Sequence, residues 1–305
     1  MRIGLTGFGT SVDQVVRQAE RAEADGFAAL WYPSAVLGDP LVPMALAARA
    51  TSSIELGTAV LQTYPCHPVL QAGRAAATAA AIGAPGRFTL GVGPSHRPVV
   101  EDRLGTSYAT VGRHTDEYVQ VLATLLGGEP VDFRGAEFRV RAEPPGLPAG
   151  PVPVLVGALG PRLLRVAGQH SAGTILWMAN ARSIETHVAP RIAAAATGAG
   201  RPAPRIVAGL PVAVHDDVAE ARAEAAKVYE VYGTLPNYQR ILAAGGVAGP
   251  ADAVVVGAED AVAAQVRGLF DAGATDVWVA PFPVGADRSA SRSRTRALLE
   301  QLAAS

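Results

Sequence analysis

The sequence predicts an α/β fold of the (β/α)8 TIM-barrel type with insertions, and three observations support this prediction. Strand-like and helix-like stretches alternate almost from end to end of the 305 residues. The strand-like stretches are mostly continuous apolar runs, which is typical of strands buried on both faces. Helices between such strands imply parallel order and right-handed crossovers. Eight such units favour a closed barrel over an open doubly wound sheet, because Gly7-Phe-Gly9 lacks the third glycine of the dinucleotide fingerprint.

The first half of the chain carries four predicted strands and three predicted helices. Thr10 is the expected N-cap of the first helix because Asp13 follows three positions later, and Gly26 ends that helix. Pro68 is compatible with the first turn of a helix. The predicted strands cover 2–8, 27–32, 54–61 and 87–92, and the predicted helices cover 10–25, 39–50 and 68–82.

The second half repeats the pattern, with two longer excursions between the units. The first excursion, about 94–150, contains a predicted helix over 111–126 and a hairpin with arms near 131–133 and 138–140. The second, 233–258, is expected to be irregular. The remaining predicted strands cover 152–156, 173–178, 206–214 and 275–280, and helices are predicted to begin near 161, 181, 216, 259 and 289. The chain 1–305 is therefore predicted to be one barrel domain with two insertion segments.

Composition and charge exclude several classes of protein. With 49% hydrophobic and 17% charged residues, the chain can bury a large core. A net charge of −1 with arginines spread along the chain argues against a nucleic-acid partner. No apolar run approaches a membrane span, and the N-terminus lacks the apolar core of a signal peptide. Cys66 is the only cysteine, which fits a reducing compartment, so we expect a cytoplasmic protein.

Few residues that could perform chemistry unaided fall at the carboxyl ends of the predicted strands, where barrel active sites lie. The six histidines are scattered, without His-Glu-x-x-His or paired carboxylates, so no metal site is expected. A nucleophile elbow is absent, and the sole lysine, Lys227, falls within a predicted helix. Nothing in the sequence identifies a base beside Cys66. A barrel mouth poor in acids and bases but rich in glycine suggests that a cofactor carries the chemistry.

Two glycine-containing stretches could receive such a cofactor, although each could also be a plain turn. Gly157-Ala-Leu-Gly160 follows the fifth predicted strand and opens a helix, whose free backbone N–H groups favour an anion. Gly91-Val-Gly93 follows the fourth strand and leaves room for a flat ring to approach the backbone.

Four stretches together resemble one known family. They are Ile-Glu-Leu-Gly-Thr-Ala-Val at 54–60 with His67-Pro68, Gly-Arg-Phe-Thr-Leu-Gly-Val-Gly at 86–93, Val-Pro-Val-Leu-Val-Gly-Ala-Leu-Gly-Pro at 152–161, and Ala167-Gly168 followed by Ala172-Gly173. In this order and spacing they resemble the luciferase-like monooxygenase superfamily, in its branch of coenzyme F420-dependent oxidoreductases. With the flanking helices, the resemblance covers nearly the whole chain.

The resemblance implies a deazaflavin, coenzyme F420 (alternatively FMN), lying across the carboxyl end of the barrel. It also implies a bulge after the third strand with a cis Ala59–Val60 peptide behind the flavin ring. Gly157–Gly160 would lie near the cofactor phosphate, and Gly91–Ser95 near its ring or side chain. The cofactor-binding candidates are Thr58, Ala59, Val60, Gln62, Gly91, Gly93, Ser95, Gly157, Ala158, Leu159 and Gly160.

Departures from the family pattern bear on the reaction. Members that oxidise alcohols and sugars place an Asp-His pair after the second strand, where this chain reads Tyr32-Pro-Ser-Ala-Val36. Lysines that meet phosphosugars in the family are also missing. These departures argue against sugar-phosphate or simple alcohol oxidation, and they favour hydride transfer from deazaflavin C5 to a small unsaturated or imine-like organic substrate.

The family resemblance also implies which residues surround the substrate. The substrate would stack opposite the Ala59–Val60 bulge, and a proton must reach its neighbouring atom. The proton-donor candidates are Tyr64, Ser34, Ser95 and His96, and Gln62, Thr63 and Tyr64 are expected to touch both cofactor and substrate. Trp177 and Phe282 would wall the substrate side, unless they are ordinary barrel packing.

The alanine-rich helix over 71–82 predicts a homodimer, because small residues let helices approach closely and relatives pair through this region. Two other readings of the function remain open. One is an FMN-dependent oxidoreductase or monooxygenase of the same superfamily, and the other is a flavin-binding protein without catalysis.

Overall fold

Eight parallel strands close into a barrel in the computed structural model, which describes residues 1–305. In chain order the strands are β1 (Ile3–Thr6), β2 (Ala29–Tyr32), β3 (Glu55–Thr58), β4 (Leu61–Gln62), β5 (Phe88–Gly93), β6 (Val131–Arg134), β7 (Arg139–Ala142), β8 (Val154–Val156), β9 (Gly173–Trp177), β10 (Arg205–Val214), β11 (Val255–Gly257) and β12 (Asp276–Pro281). The barrel runs β1-β2-β3-β5-β8-β9-β10-β12 and returns to β1. The predicted (β/α)8 TIM barrel is confirmed.

Helices cover the outside of the barrel. They are α1 (Val12–Ala24), α2 (Leu41–Ala50), α3 (Pro68–Ile82), α4 (Val111–Leu126), α5 (Pro161–His170), α6 (Ala181–Ser183), α7 (Ala189–Gly198), α8 (Val218–Val228), α9 (Glu230–Thr234), α10 (Pro236–Ala244), α11 (Pro250–Ala253), α12 (Glu259–Asp271) and α13 (Arg288–Ala303). A 3-10 turn at Val36–Gly38 and π-helical turns at Val99–Arg103 and Ile184–Val188 complete the set. Every helix is too short or too polar to span a lipid bilayer.

Three expectations about the elements are wrong. Ser11 rather than Thr10 caps α1, because its side chain accepts a hydrogen bond from the Gln14 N–H. The segment 233–258 is not irregular, since it forms α10, α11 and β11, and a proline occupies the first turn of each helix. The helix expected to reach Tyr232 ends at Val228 and restarts as α9.

The amino end of the barrel is filled by an ion-pair network. Arg205, the first residue of β10, donates to Glu55 on β3 (Nη1–Oε1 2.7 Å) and to Asp276 on β12 (Nε–Oδ2 2.8 Å). Arg2 donates to the same two carboxylates from the rim. Above this network the guanidinium of Arg205 lies 5.4 Å from the ring of Trp31, which begins the apolar filling of the barrel. Because the lower interior is filled, a ligand can enter the barrel only from the carboxyl end.

Candidate active site

A bulge interrupts the third barrel strand at the mouth. β3 ends at Thr58, the peptide Ala59–Val60 is cis as predicted, and the chain resumes as β4, which pairs with β5. The Thr58 hydroxyl donates to the Gly91 carbonyl at 2.7 Å and accepts from the Gly91 N–H at 2.9 Å. Since that buried hydroxyl uses its one proton on the Gly91 carbonyl, Thr58 holds the bulge in place.

Glycines on the neighbouring strands make room for this bulge. A Cβ at Gly91 would lie 1.9 Å from the Thr58 carbonyl oxygen, and one at Gly93 would lie 2.9 Å from Val60 Cγ2. Gly157 also faces Val60, and its N–H donates to the Val92 carbonyl at 2.8 Å. The glycines that were predicted to make room for a cofactor therefore make room for the bulge. Ala59 and Val60 remain half-buried and form the floor of the mouth.

The segment after β8 leads into the amino end of α5. Gly160 is the N-cap and offers no side chain to the first N–H groups of the helix. A Cβ at Gly160 would meet nothing within 4 Å, so the space beside this helix end is open. Ala158 is buried, whereas the carbonyl of Leu159 lies 2.9 Å from His187 Nε2. Free N–H groups beside open space are suited to a phosphate.

Tyr64 lies in an aromatic group on the β4 side of the mouth. Its ring stacks on His114 of α4 at 4.0 Å between centroids, and His114 Nε2 lies 3.1 Å from the Thr63 hydroxyl. The Tyr64 hydroxyl is buried without a protein hydrogen-bond partner. Burial, followed by the negative charges of Glu137 and Glu101, raises the pKa of Tyr64 to about 12. The hydroxyl therefore keeps its proton at neutral pH.

Ser95 and His96 follow β5 and are held by tyrosines. Ser95 adopts a left-handed conformation with φ of 63°, and its carbonyl accepts from the Tyr108 hydroxyl at 2.9 Å. Tyr108 also lies 5.8 Å from the Tyr64 ring, so it joins these two candidates. The His96 ring lies 5.7 Å from Tyr238, and its Nδ1 is buried without a partner. Burial lowers the pKa of His96, which favours the neutral imidazole.

Trp177 is the centre of a second aromatic group at the end of β9. It stacks on Trp278 at 5.0 Å, while Tyr229 and Tyr232 approach its face edge-on at 6.1 Å each. The Trp177 Nε1–H is buried without a hydrogen-bond partner. Phe282 lies farther back, where it packs behind Tyr229 in a buried cluster. Of the two residues proposed to line the substrate side, Trp177 lies at the mouth, whereas Phe282 contacts Tyr229, which in turn packs on Trp177.

Ser34 and Gln62 line a cavity beside the bulge, and no tyrosine belongs to its wall. The four proton-donor candidates therefore lie in different surroundings. Tyr64 and Ser95 both contact Tyr108, His96 contacts Tyr238, and Ser34 lines the cavity.

Sequence reasoning missed several residues that shape the mouth. They are Tyr108, His114, His187, Tyr229, Tyr232 and Tyr238. One signal was available for three of them, because 229–238 holds three of the seven tyrosines of the chain. His114 and Tyr118 are four residues apart on the buried face of α4, a spacing that also could have been noticed.

Comparison with known proteins agrees with this geometry. The sequence model of the luciferase-like monooxygenase family matches residues 3–276. The 5,10-methylenetetrahydromethanopterin reductase of Methanolobus tindarius is 31% identical over 194 residues, which are 62% of this chain and 57% of that relative. The F420-dependent hydroxymycolic acid dehydrogenase of Mycobacterium tuberculosis is 32% identical over 231 residues, covering 69% of this chain and 62% of that protein. The chain thus spans about three fifths of the length of these curated relatives.

Solved structures share the fold over almost the full chain. The coenzyme F420-dependent tetrahydromethanopterin reductase of Methanopyrus kandleri superposes with a TM-score of 0.76 at 20% identity, covering 99% of this chain and 96% of that one. An FMN complex of a type II Baeyer–Villiger monooxygenase of Pseudomonas putida, the oxygenating constituent of 3,6-diketocamphane monooxygenase, superposes with a TM-score of 0.72 at 17% identity, covering 99% and 97%. Because the sequence identities are only 20% and 17%, these superpositions establish the shared barrel architecture alone.

Proposed function

Because the chain belongs to the luciferase-like monooxygenase family, we propose that it is a coenzyme F420-dependent oxidoreductase. It transfers a hydride between C5 of the deazaflavin and a small organic substrate, in the reducing direction. The observation that carries this proposal is the bulge at Ala59–Val60, which forms a half-buried apolar floor at the barrel mouth. Two similar proteins named for F420 dependence, a dehydrogenase and a reductase, support the choice of cofactor.

The residues at the mouth fit a deazaflavin. Tyr64 Oη, His96 Nδ1 and Trp177 Nε1 are buried without protein partners, so a ligand with polar edges would satisfy groups that are costly to leave unpaired. Ala59 and Val60 would back the ring. Pro161 has no N–H, so the N–H groups of Arg162 and Leu163 would hold the phosphate, since the space beside Gly160 is open.

Bound F420 would supply the hydride, and the residues of the chain would supply orientation, exclusion of water and a proton. Trp177 and its tyrosine neighbours wall the space opposite the bulge, which shields a substrate from solvent. The Tyr64 hydroxyl, protonated at neutral pH, is the proton donor that we favour. The neutral imidazole of His96 is the second choice.

The loop after β2 supports the reducing direction. Tyr32 is fully buried, its hydroxyl has no partner, and Asp39 is engaged with Arg74. This loop therefore offers no base to take the proton of an alcohol. Oxidation of alcohols would need such a base.

We also propose a cytoplasmic homodimer. Cys66 is a free thiol, which fits a reducing compartment. Val42, Leu46 and Leu70 are exposed on the adjacent helices α2 and α3, at 65%, 48% and 60% of their surface. An apolar patch on two packed helices beside the small residues of α3 is suited to pairing with a second copy.

The FMN-dependent alternative is favoured by the FMN complex among the structural neighbours. Titration of the purified protein with F420 and FMN side by side, followed by fluorescence quenching, separates the two. We expect micromolar binding of F420 and binding of FMN at least about tenfold weaker. If FMN binds more tightly than F420, the protein is the FMN-dependent oxidoreductase instead. A panel of α,β-unsaturated carbonyl compounds and imines, with reduced F420 in excess, then identifies acceptors.

A further inference from the structure

A cavity of about 590 Å³ lies beside the bulge, outside the aromatic groups that line the mouth. We call it the side cavity; its walls are the loop after β2, β4 with the loop that follows it, the first turns of α3 and the π-helical turn Val99–Arg103. Its volume falls within the range of small-molecule sites. Ser34 and Gln62 belong to its wall. The side cavity therefore adjoins the proposed cofactor site on the β2–β3 side.

Gln71 presents an unsatisfied donor at the side cavity. The residue is 1% exposed, and its Oε1 accepts a hydrogen bond from Arg74 Nη1 at 3.0 Å. Because a guanidinium can only donate, the amide oxygen must face Arg74 and the amide nitrogen must face away. That nitrogen, Nε2, has no protein partner. A buried donor without an acceptor is destabilising unless a ligand provides one.

The charges around the side cavity favour an anion. Arg74 is neutralised by Asp39 and also donates to the Cys66 thiol at 3.5 Å. Arg103 has no carboxylate partner, and Asp39 is the only acidic residue in the wall. Two guanidinium groups against one carboxylate leave the wall positive. Leu61, Val99 and Leu104 add apolar surface, so the best ligand has an apolar body and an anionic head.

We propose that the side cavity is a carboxylate subsite, in which Gln71 Nε2 and the Arg103 guanidinium bind the acid group of a ligand. Planar guanidinium and amide donors match the two oxygens of a carboxylate. We assign the acid group to an unsaturated organic acid used as substrate, because the glutamate tail of the deazaflavin continues beyond the phosphate placed beside Gly160. Binding of that tail is the competing source that the test separates. The inference rests on the proposed function and specifies the substrate class that the site accepts.

Binding to two variants and a control tests the subsite. Gln71→Glu keeps the oxygen that faces Arg74 and replaces the free donor by an anionic oxygen. Arg103→Gln removes an exposed charge with little effect on folding. Arg267→Gln removes an equally exposed charge from α12, away from the side cavity, and serves as the control.

Two pairs of probes distinguish the sources of the acid group. The first pair is trans-cinnamate and its methyl ester, measured by calorimetry on the protein without cofactor. The second is F420 and the corresponding deazaflavin without its phosphate and glutamate tail, measured by fluorescence quenching. If a substrate acid binds here, both variants weaken cinnamate by at least about tenfold and leave the ester unchanged. If the cofactor tail binds here, both variants weaken F420 by a similar factor and leave the tail-less deazaflavin unchanged.

The subsite is overturned if the variants bind all four probes as the wild-type protein and the control do. Equal binding of cinnamate and its ester, together with equal binding of the two deazaflavins, also overturns it. The proposed function fails separately, namely if the wild-type protein binds neither deazaflavin.

Discussion

Gly93 faces Val60 so closely that a single methyl group would displace the Val60 side chain of the bulge. The added Cβ would lie 2.9 Å from Val60 Cγ2, a distance that side chains do not tolerate. We expect Gly93→Ala to fold but to bind F420 at least about tenfold more weakly, because the floor of the site moves. Fluorescence quenching measures the affinity and circular dichroism the fold. Gly198→Ala, which meets nothing within 4 Å, is the control. Unchanged affinity in Gly93→Ala would show that the bulge does not contact the cofactor.

Removal of the Tyr64 hydroxyl tests the proton donor. Tyr64→Phe keeps the stacking on His114 and removes only the buried, unpartnered oxygen. We expect the rate of F420 oxidation by the best acceptor to fall about 100-fold, while the affinity for F420 falls by no more than about tenfold, the effect of one lost hydrogen bond. Stopped-flow absorbance of the reduced cofactor gives the rate. His96→Asn is the companion variant, and a rate loss there without one in Tyr64→Phe would assign the proton to His96.

Glu23 at the end of α1 ties that helix to the start of β3. Its carboxylate accepts the N–H groups of Ser52, Ser53 and Ile54 at 2.9, 2.5 and 2.9 Å. Burial by itself would raise the pKa of Glu23, but the backbone hydrogen bonds lower it to about 2 from 4.5. A carboxyl whose pKa is lower in the folded protein stabilises it above pH 4.5, and the contribution is lost as the pH falls toward 2.

We therefore expect Glu23→Gln to lower the free energy of unfolding by about 1 kcal/mol at pH 7, a value discounted for the partial exposure of the carboxylate. The difference from the wild-type protein should shrink as the pH falls below 4.5. Urea unfolding at pH 7 and at acid pH measures both. Glu20→Gln changes an exposed glutamate on the same helix and should have little effect. Equal loss in the two variants at pH 7 would contradict this account.

Elements with local signals were predictable, and those that depend on distant contacts were not. α3 and α4 match their predicted bounds, because Pro68 and the apolar spacing of 111–126 define them within the sequence. The pattern of apolar residues does not reveal the break in the third strand, since Ile54–Leu61 reads as one strand; only the family resemblance placed the break. α10 was missed, and one of the contacts that bury its Tyr238, with the ring of His96, joins positions more than a hundred residues apart.

The residues of the candidate site likewise fall into a group that the sequence predicts and a group that it does not. Positions next to strand ends, such as Ala59, Gly157 and Trp177, follow from the barrel alone. The partners that orient the chemistry do not, because Tyr108 and His114 come from the first excursion and Tyr229 and Tyr232 from the region after β10. Such contacts between loops depend on how the barrel closes. A single sequence carries no record of that closure.

Barrel closure itself depends on Arg205, which joins three strands at the amino end. Glu55 and Asp276 are 4% exposed each, so removal of their shared partner leaves two buried carboxylates with Arg2 as their only cationic partner. We expect Arg205→Met to lower the free energy of unfolding by about 3–5 kcal/mol. Arg2→Met, which removes a half-exposed partner of the same groups, should cost about 1 kcal/mol. Urea unfolding of the two variants measures these free energies. Equal destabilisation by the two substitutions would contradict a special role for Arg205.

Pairing of two copies is the last prediction, and it depends on the exposed apolar patch of Val42, Leu46 and Leu70. The neighbouring exposed positions of α3 are glycine and alanine, so a partner helix could approach closely. We expect light scattering to give a dimer mass for the wild-type protein. Leu46→Glu and Leu70→Glu should give the monomer mass, because a charge would be buried without a partner in the interface. Val228→Glu, an equally exposed apolar position on α8, should remain dimeric. A monomeric wild-type protein would contradict the dimer, and a dimer that persists in both leucine variants would place the interface on another face.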